Sequence, residues 1–137
     1  MPIDFKRHRF SPVIQLPDDY EVFDFRDGYD PRRAHKSAWG VGKYNEKRAG
    51  MYMTDLFGGV RDIHVGIDIA APVGTECRAF WAGAIHLQGY NGAPGDYGYT
   101  IITRHVIDDV ELFALYGHLS KESVEARRQG REFDAAD

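Results

Sequence analysis

The clearest pattern in the chain is the alternation of apolar and polar residues from position 62 to position 70. The apolar side chains fall on the odd-numbered positions, namely Ile63, Val65, Ile67 and Ile69. Because side chains along a strand alternate between its two faces, this period of two predicts a strand with one apolar face and one functional face. His64 and Asp68 lie on the functional face, separated by about 13 Å of backbone in a straight strand. A bend or long side chains must close that gap before both can reach one ion.

Gly66 lies between these two residues and is the position at which a bend is expected, since glycine is the least restricted residue in its backbone conformation. It also leaves space beside the two polar side chains. An imidazole nitrogen and a carboxylate oxygen suit zinc, so His64 and Asp68 are candidate metal ligands. The alternative from this pattern alone is a histidine and an aspartate on an exposed strand face.

Further strand-like runs, separated by glycine and proline, predict a mainly β fold with short strands. These runs cover residues 76–81, 83–90, 99–107 and 110–119. One short helix is expected near residues 121–129.

The first 50 residues carry a weaker pattern. Residues 20–25 favour one short strand, whereas residues 32–48 are polar and contain two glycines against a helix, which predicts a loop with at most one helical turn. We therefore expect residues 1–50 to form an irregular N-terminal segment that wraps a single domain over residues 51–137.

Composition narrows the class of protein. With 137 residues, 43% of them hydrophobic, the chain can form one domain with a core. A net charge of −4 does not favour nucleic acid as a partner. The single cysteine, Cys77, excludes a disulfide within the chain and a zinc site built from paired thiolates. We expect it to be a small core or edge residue of the strand at 76–81.

The sequence also bears on localisation. It has no apolar run long enough for a transmembrane helix, and its N-terminus lacks the apolar region of a secretory signal. The sequence as written therefore indicates a cytoplasmic protein, or a periplasmic or extracellular one if an export signal has been removed.

Four motifs follow one another between residues 61 and 120. The first is His64-Val65-Gly66-Ile67-Asp68, which runs on into Pro72-Val73-Gly74, and the others are Ala82-Gly83-Ala84-Ile85, Asp96-Tyr97-Gly98-Tyr99 and Leu115-Tyr116-Gly117-His118-Leu119-Ser120. Together they resemble the motifs of the M23 family of LytM-type zinc metallopeptidases. The resemblance implies a LytM-like antiparallel sheet core, Zn2+ as the cofactor, and His64 and Asp68 as two of three protein ligands.

The same resemblance gives His118 a catalytic role. In the family, the histidine of this motif faces the activated water and the scissile peptide bond, where an imidazole can hydrogen-bond the water or the developing oxyanion. The alternative for His118 is a residue at a strand end that caps a turn.

The remaining histidines have no expected role as metal ligands. Asp108-Asp109 is typical of a two-residue hairpin turn, which pairs His105 with Leu112 and makes it a structural residue near the turn. No motif links His86, in the strand after Gly83, or His8 and His35, in the N-terminal segment, to the metal.

The resemblance does not extend to the family's third zinc ligand. That ligand comes from a later His-x-His motif, which the 137 residues do not contain. Residues 124–137, with Gly130, resemble the approach to it, so we expect a piece of a longer enzyme. The alternatives are a natural short form, inactive or completed in an oligomer, and a binding module that keeps the fold.

The resemblance implies a zinc metalloendopeptidase that hydrolyses peptide bonds in peptidoglycan-like peptides with a zinc-activated water, and the peptidoglycan cross-link is the expected substrate. The alternative function is a non-catalytic LytM-like module that binds a cell-wall peptide or another protein. A His-x-His motif after Asp137 would favour the enzyme, and stoichiometric zinc binding would separate the two.

Overall fold

The computed structural model describes residues 2–28, 30, 37–48, 50–51 and 61–137. His35 and most of the sequence around the expected start of the domain at residue 51 lie outside the described residues. The division into residues 1–50 and 51–137 stays a prediction.

Strands dominate the described residues and form three sheets. The strands are β1 (Glu21–Phe23), β2 (Gly40–Gly42), β3 (Glu46–Lys47), β4 (Ile63–His64), β5 (Asp68–Ala70), β6 (Gly83–Asn91), β7 (Gly98–Ile107), β8 (Val110–Tyr116) and β9 (Glu132–Phe133). Helix in this part of the chain is confined to a 3-10 turn at Phe5–Arg7 and the short helix α1 (Lys121–Glu125). The mainly β fold is therefore confirmed. Within the described ranges, no helix has the length and apolar character needed to cross a bilayer.

The chain divides into two compact units. We call the first, Met1–Val13 with Glu76–Asp137, the hairpin unit, and the second, Ile14–Thr75, the motif unit. The hairpin unit contains the long strands and α1, and the motif unit contains the short strands β1 to β5.

The hairpin unit is built on an antiparallel sheet of four strands in the order β8-β7-β6-β9. β7 and β8 form the predicted hairpin, in which Ile107 pairs with Val110. Asp108 and Asp109 at its turn have φ angles of 49° and 63°, and two positive values are what a type I′ turn requires. The twist of that turn matches the twist of the strands, so the two aspartates form a suitable connection between β7 and β8.

The core of the hairpin unit lies where α1 packs on the sheet. It consists of Ile85, Ile101 and Val124, with partly buried apolar side chains around them. α1 begins after Ser120, whose hydroxyl accepts a hydrogen bond from the backbone N–H of Ser123 and so caps the helix. Val124 is the buried residue of this helix and packs in the cluster with the two isoleucines.

His105 is a structural residue, as predicted. Its side chain is buried in the sheet, where Nδ1 lies 2.9 Å from the carbonyl oxygen of Ala82 and Nε2 lies 2.7 Å from Oγ1 of Thr103. Its ring packs on Phe80 with the centroids 4.6 Å apart. Because both ring nitrogens have protein partners, His105 has no nitrogen left for a metal.

The motif unit brings together residues that are distant in the sequence. One sheet has the order β1-β2-β5, and β2 runs antiparallel to β5 with Gly42 opposite Asp68. The other sheet pairs β3 with β4 and places Glu46 opposite His64. The prediction of a loop over residues 32–48 is wrong in its described part, because β2 and β3 lie within it.

Two strand predictions need correction. The run 62–70 is not one strand but two, β4 and β5, and its apolar side chains at positions 63, 65 and 67 are 52%, 76% and 65% exposed rather than packed in a core. Residues 76–81 form no strand, because their backbone hydrogen bonds go to residues that lie outside any strand, namely Ser11, Val13, Ala136 and Asp137. Cys77 is accordingly an exposed residue and not part of a strand.

We expect Ile85→Ala to destabilise the protein by about 2–5 kcal/mol, because it leaves a cavity beside Ile101 and Val124. Urea unfolding measures the change. Leu87→Ala on the same strand is the matched control, since Leu87 is 48% exposed and its loss should cost much less. Equal costs for the two substitutions would contradict this assignment of the core.

Candidate metal site

The segment from His64 to Asp68 folds as a bend between two short strands. β4 ends at His64, β5 begins at Asp68, and the chain bends at Gly66. The expected separation of about 13 Å in a straight strand is replaced by direct contact, with Nε2 of His64 only 3.3 Å from Oδ1 of Asp68. The bend that the sequence required is present.

His64 is oriented by its other ring nitrogen. Nδ1 lies 2.8 Å from the carbonyl oxygen of Lys43, and a carbonyl oxygen only accepts, so Nδ1 carries a proton. In the neutral ring, Nε2 then presents a lone pair to Oδ1 of Asp68, which is also an acceptor. Two facing acceptors need a cation or a further proton between them. A backbone carbonyl on the second nitrogen is also one of the usual partners of a histidine that binds a metal.

The separation of these two atoms suits a single zinc ion. Zinc binds imidazole nitrogen at about 2.0–2.1 Å and carboxylate oxygen at about 2.0–2.2 Å in tetrahedral geometry, which places two such donors about 3.3–3.5 Å apart. The observed separation of 3.3 Å lies in this range. The Asp68 side chain is half exposed, which leaves the pair open to ions from solvent. His64 and Asp68 therefore fit zinc in both donor type and spacing.

Gly66 keeps the space beside His64 open. A Cβ atom at this position would have Nε2 of His64 as its nearest neighbour, at 3.4 Å. A larger side chain would extend into the region next to the nitrogen that faces Asp68. The space expected from the sequence is therefore present.

The second oxygen of Asp68 is held by a buried network that the sequence did not predict. Nη1 of Arg48 lies 2.8 Å from Oδ2 of Asp68, and Nε of Arg48 donates to Oε1 of Glu46 at 3.0 Å. Oε2 of Glu46 lies 3.2 Å from Nζ of Lys43 and accepts from the backbone N–H of Phe25 at 3.3 Å. Burial raises the pKa of Glu46, but the bonds from Arg48 and Lys43 outweigh it and hold that pKa below its usual range.

His118 belongs to the hairpin unit, directly after Gly117 at the end of β8. It has a φ of 57°, a left-handed conformation that is uncommon outside glycine and is adopted most readily by asparagine, aspartate and histidine among the other residues. Hydrogen bonds from its own N–H to the Tyr97 carbonyl (2.7 Å) and from the Leu119 N–H to the Tyr99 carbonyl (3.0 Å) hold this backbone in place. The imidazole is exposed and has no hydrogen-bond or ion-pair partner among the described residues. The structure thus brings His64 and Asp68 together, while His118 lies in the other unit.

Two further histidines have structural partners in the hairpin unit. Nε2 of His8 lies 2.8 Å from Oδ1 of Asp108, and this hydrogen bond lowers the pKa of Asp108. His86 stacks on Phe113 with the ring centroids 4.7 Å apart. Neither contact resembles a metal site.

Within the ranges that the structure describes, no group of three or more His, Cys, Asp or Glu residues converges as a metal site. The sequence profile of Peptidase family M23 matches residues 62–131, which is just over half of the chain and includes His64, Asp68 and His118. Searches of curated proteins and of solved structures returned no significant match. On the strength of the profile match, this chain belongs to peptidase family M23.

Proposed function

We propose that the protein is a zinc metalloendopeptidase that hydrolyses peptide bonds in peptidoglycan-like peptides. Membership of a peptidase family supports a peptidase-like function. The observation that carries the assignment of zinc is the 3.3 Å distance between Nε2 of His64 and Oδ1 of Asp68. The Lys43 carbonyl, which bonds Nδ1, holds His64 in this position. Because both facing atoms are acceptors in the neutral-ring state, a divalent cation is a partner that suits them.

His64 and Asp68 would be two of the protein ligands of zinc. When bound, zinc supplies Lewis acidity, which polarises the scissile carbonyl and lowers the pKa of a water molecule towards ~7. Catalytic zinc sites have three protein ligands, so the proposal requires one more donor in addition to this pair.

His118 is proposed as the proton carrier. Hydrolysis adds one water molecule across the peptide bond, with the hydroxyl going to the carbonyl carbon and a proton going to the leaving nitrogen. An imidazole can accept this proton from the attacking water and donate it to the leaving nitrogen near neutral pH. The exposed ring of His118 on a fixed backbone is suited to that role.

A second candidate function is a non-catalytic module that binds a cell-wall peptide. It is favoured by the finding that the described residues bring together only two candidate ligands and no group of three. The two functions differ in whether the bound peptide is cut.

Digestion of purified peptidoglycan tests the proposal. We expect the zinc-loaded protein to release peptides with new amino termini, identified by mass spectrometry. A zinc chelator should abolish the release and added zinc should restore it. If the protein sediments with peptidoglycan but releases no peptides with new amino termini, the binding module is supported instead. A purified protein that retains no stoichiometric zinc would contradict the enzyme.

A further inference from the structure

The buried Arg48 joins two carboxylates of the motif unit. The side chains of Arg48 and Glu46 are 4% and 3% exposed, whereas that of Asp68 is 50% exposed. The guanidinium bonds Glu46 through Nε and Asp68 through Nη1, and it lies 4.9 Å over the ring of Phe25. A buried guanidinium that is bonded to two carboxylates and lies over an aromatic ring has lost most of its rotational freedom.

The orientation of Asp68 depends on this contact. A half-exposed aspartate rotates broadly about its last side-chain bond, so that either oxygen can face a neighbour. With Oδ2 bonded to Arg48 at 2.8 Å, only Oδ1 faces His64 Nε2. The planar guanidinium can bond both carboxylates at once because its donors are fixed in one plane.

We propose that Arg48 is a positioning residue for the metal, which holds Oδ2 of Asp68 so that Oδ1 is the one oxygen offered to the ion beside His64. This inference rests on the proposed zinc site. It adds that the affinity of the site depends on a residue that does not touch the ion, as is common for the partners of metal ligands.

Lys43 contacts His64 directly and Asp68 through two other side chains. Its carbonyl oxygen accepts a hydrogen bond from Nδ1–H of His64, and its ammonium group lies 3.2 Å from the carboxylate of Glu46, which in turn bonds Arg48. One residue therefore orients His64 directly and Asp68 through Glu46 and Arg48. A shift of this segment would move both candidate ligands together.

Gly42 provides the room for the contact. It pairs with Asp68 across β2 and β5, and a Cβ atom there would lie 2.7 Å from Oδ2 of Asp68 and 2.9 Å from Nη2 of Arg48. Any side chain at this position would press on the ion pair itself. The absence of a side chain at Gly42 is thus part of the same arrangement.

Zinc affinity, measured by competition with a chelating dye, tests the inference. We expect Arg48→Gln to raise the zinc Kd by about 10- to 100-fold and to change the visible spectrum of the cobalt-substituted protein. Because this substitution leaves Glu46 buried without its arginine, the double variant Glu46→Gln/Arg48→Gln provides a neutral pair and should show the same loss. Arg48→Lys keeps a cation beside Glu46 and should recover only part of the affinity, since one ammonium group lacks the planar fork.

The matched control is Arg104→Gln, which removes an arginine that bonds Glu111 at 2.6 Å on the hairpin unit and should leave the zinc Kd unchanged. A folded Arg48→Lys or double variant with the zinc Kd and cobalt spectrum of the wild type would overturn the positioning role while leaving the zinc site intact. Failure of the wild-type protein to bind zinc would overturn the proposed function and this inference with it.

Discussion

Substitution of His64 by alanine is expected to raise the zinc Kd at least about 100-fold and to remove hydrolysis of peptidoglycan peptides. The free energy of zinc binding at structural sites, about 10–16 kcal/mol, divides among three or four ligands into roughly 2.5–5 kcal/mol for each, and the lower value is already close to 100-fold in Kd. His64 is also fixed by the Lys43 carbonyl at 2.8 Å, and its replacement leaves Asp68 as the only member of the pair. Zinc titration and peptide release should therefore fail together.

The matched control for His64→Ala is His86→Ala. His86 lies on β6 and stacks on Phe113, so its loss should leave zinc binding and hydrolysis unchanged. Retention of hydrolysis by a folded His64→Ala variant would contradict the proposed enzyme. Loss of zinc from both variants alike would mean that neither effect is specific to the site.

Substitution of His118 by asparagine is expected to lower kcat by about 10²- to 10⁴-fold without loss of zinc, because it removes a proton carrier and not a ligand. Asparagine is the appropriate replacement, since it tolerates the left-handed backbone that His118 adopts with a φ of 57°. Steady-state kinetics on a defined cross-link peptide, beside a zinc titration, separates the two effects.

His118→Gly serves as the control for backbone strain, because glycine also accepts this conformation. Both variants should be equally slow if the imidazole is what matters. A kcat within a few-fold of the wild type in the asparagine variant would exclude His118 from catalysis. Loss of zinc in that variant would instead make His118 a ligand.

The long strands of the hairpin unit could be predicted because local sequence determines them. The Asp108-Asp109 turn set the register of β7 and β8, and that register correctly placed His105 opposite Leu112. The short strands β2 and β3 could not be predicted in this way. They are only three and two residues long, and they are held by β5 and β4, which lie much later in the chain.

In the candidate site, too, local features could be predicted, whereas contacts between residues distant in the sequence could not. The spacing of His64, Gly66 and Asp68 is local, so the sequence predicted both the pair and its bend. Arg48 contacts Asp68 only because β2 pairs with β5 and β3 pairs with β4, and nothing within residues 32–48 indicates those partners. The available signal was the spacing of Glu46 and Arg48, which puts both side chains on one face of an extended segment.

The central claim is that His64 and Asp68 bind one zinc ion, and anomalous diffraction at the zinc absorption edge tests it most directly. Crystals of the protein grown with zinc should show an anomalous peak about 2.0–2.2 Å from both His64 Nε2 and Asp68 Oδ1. The same peak should weaken or vanish in crystals of the His64→Ala variant. A peak on other residues, or none beside this pair in crystals that contain zinc, would contradict the claim.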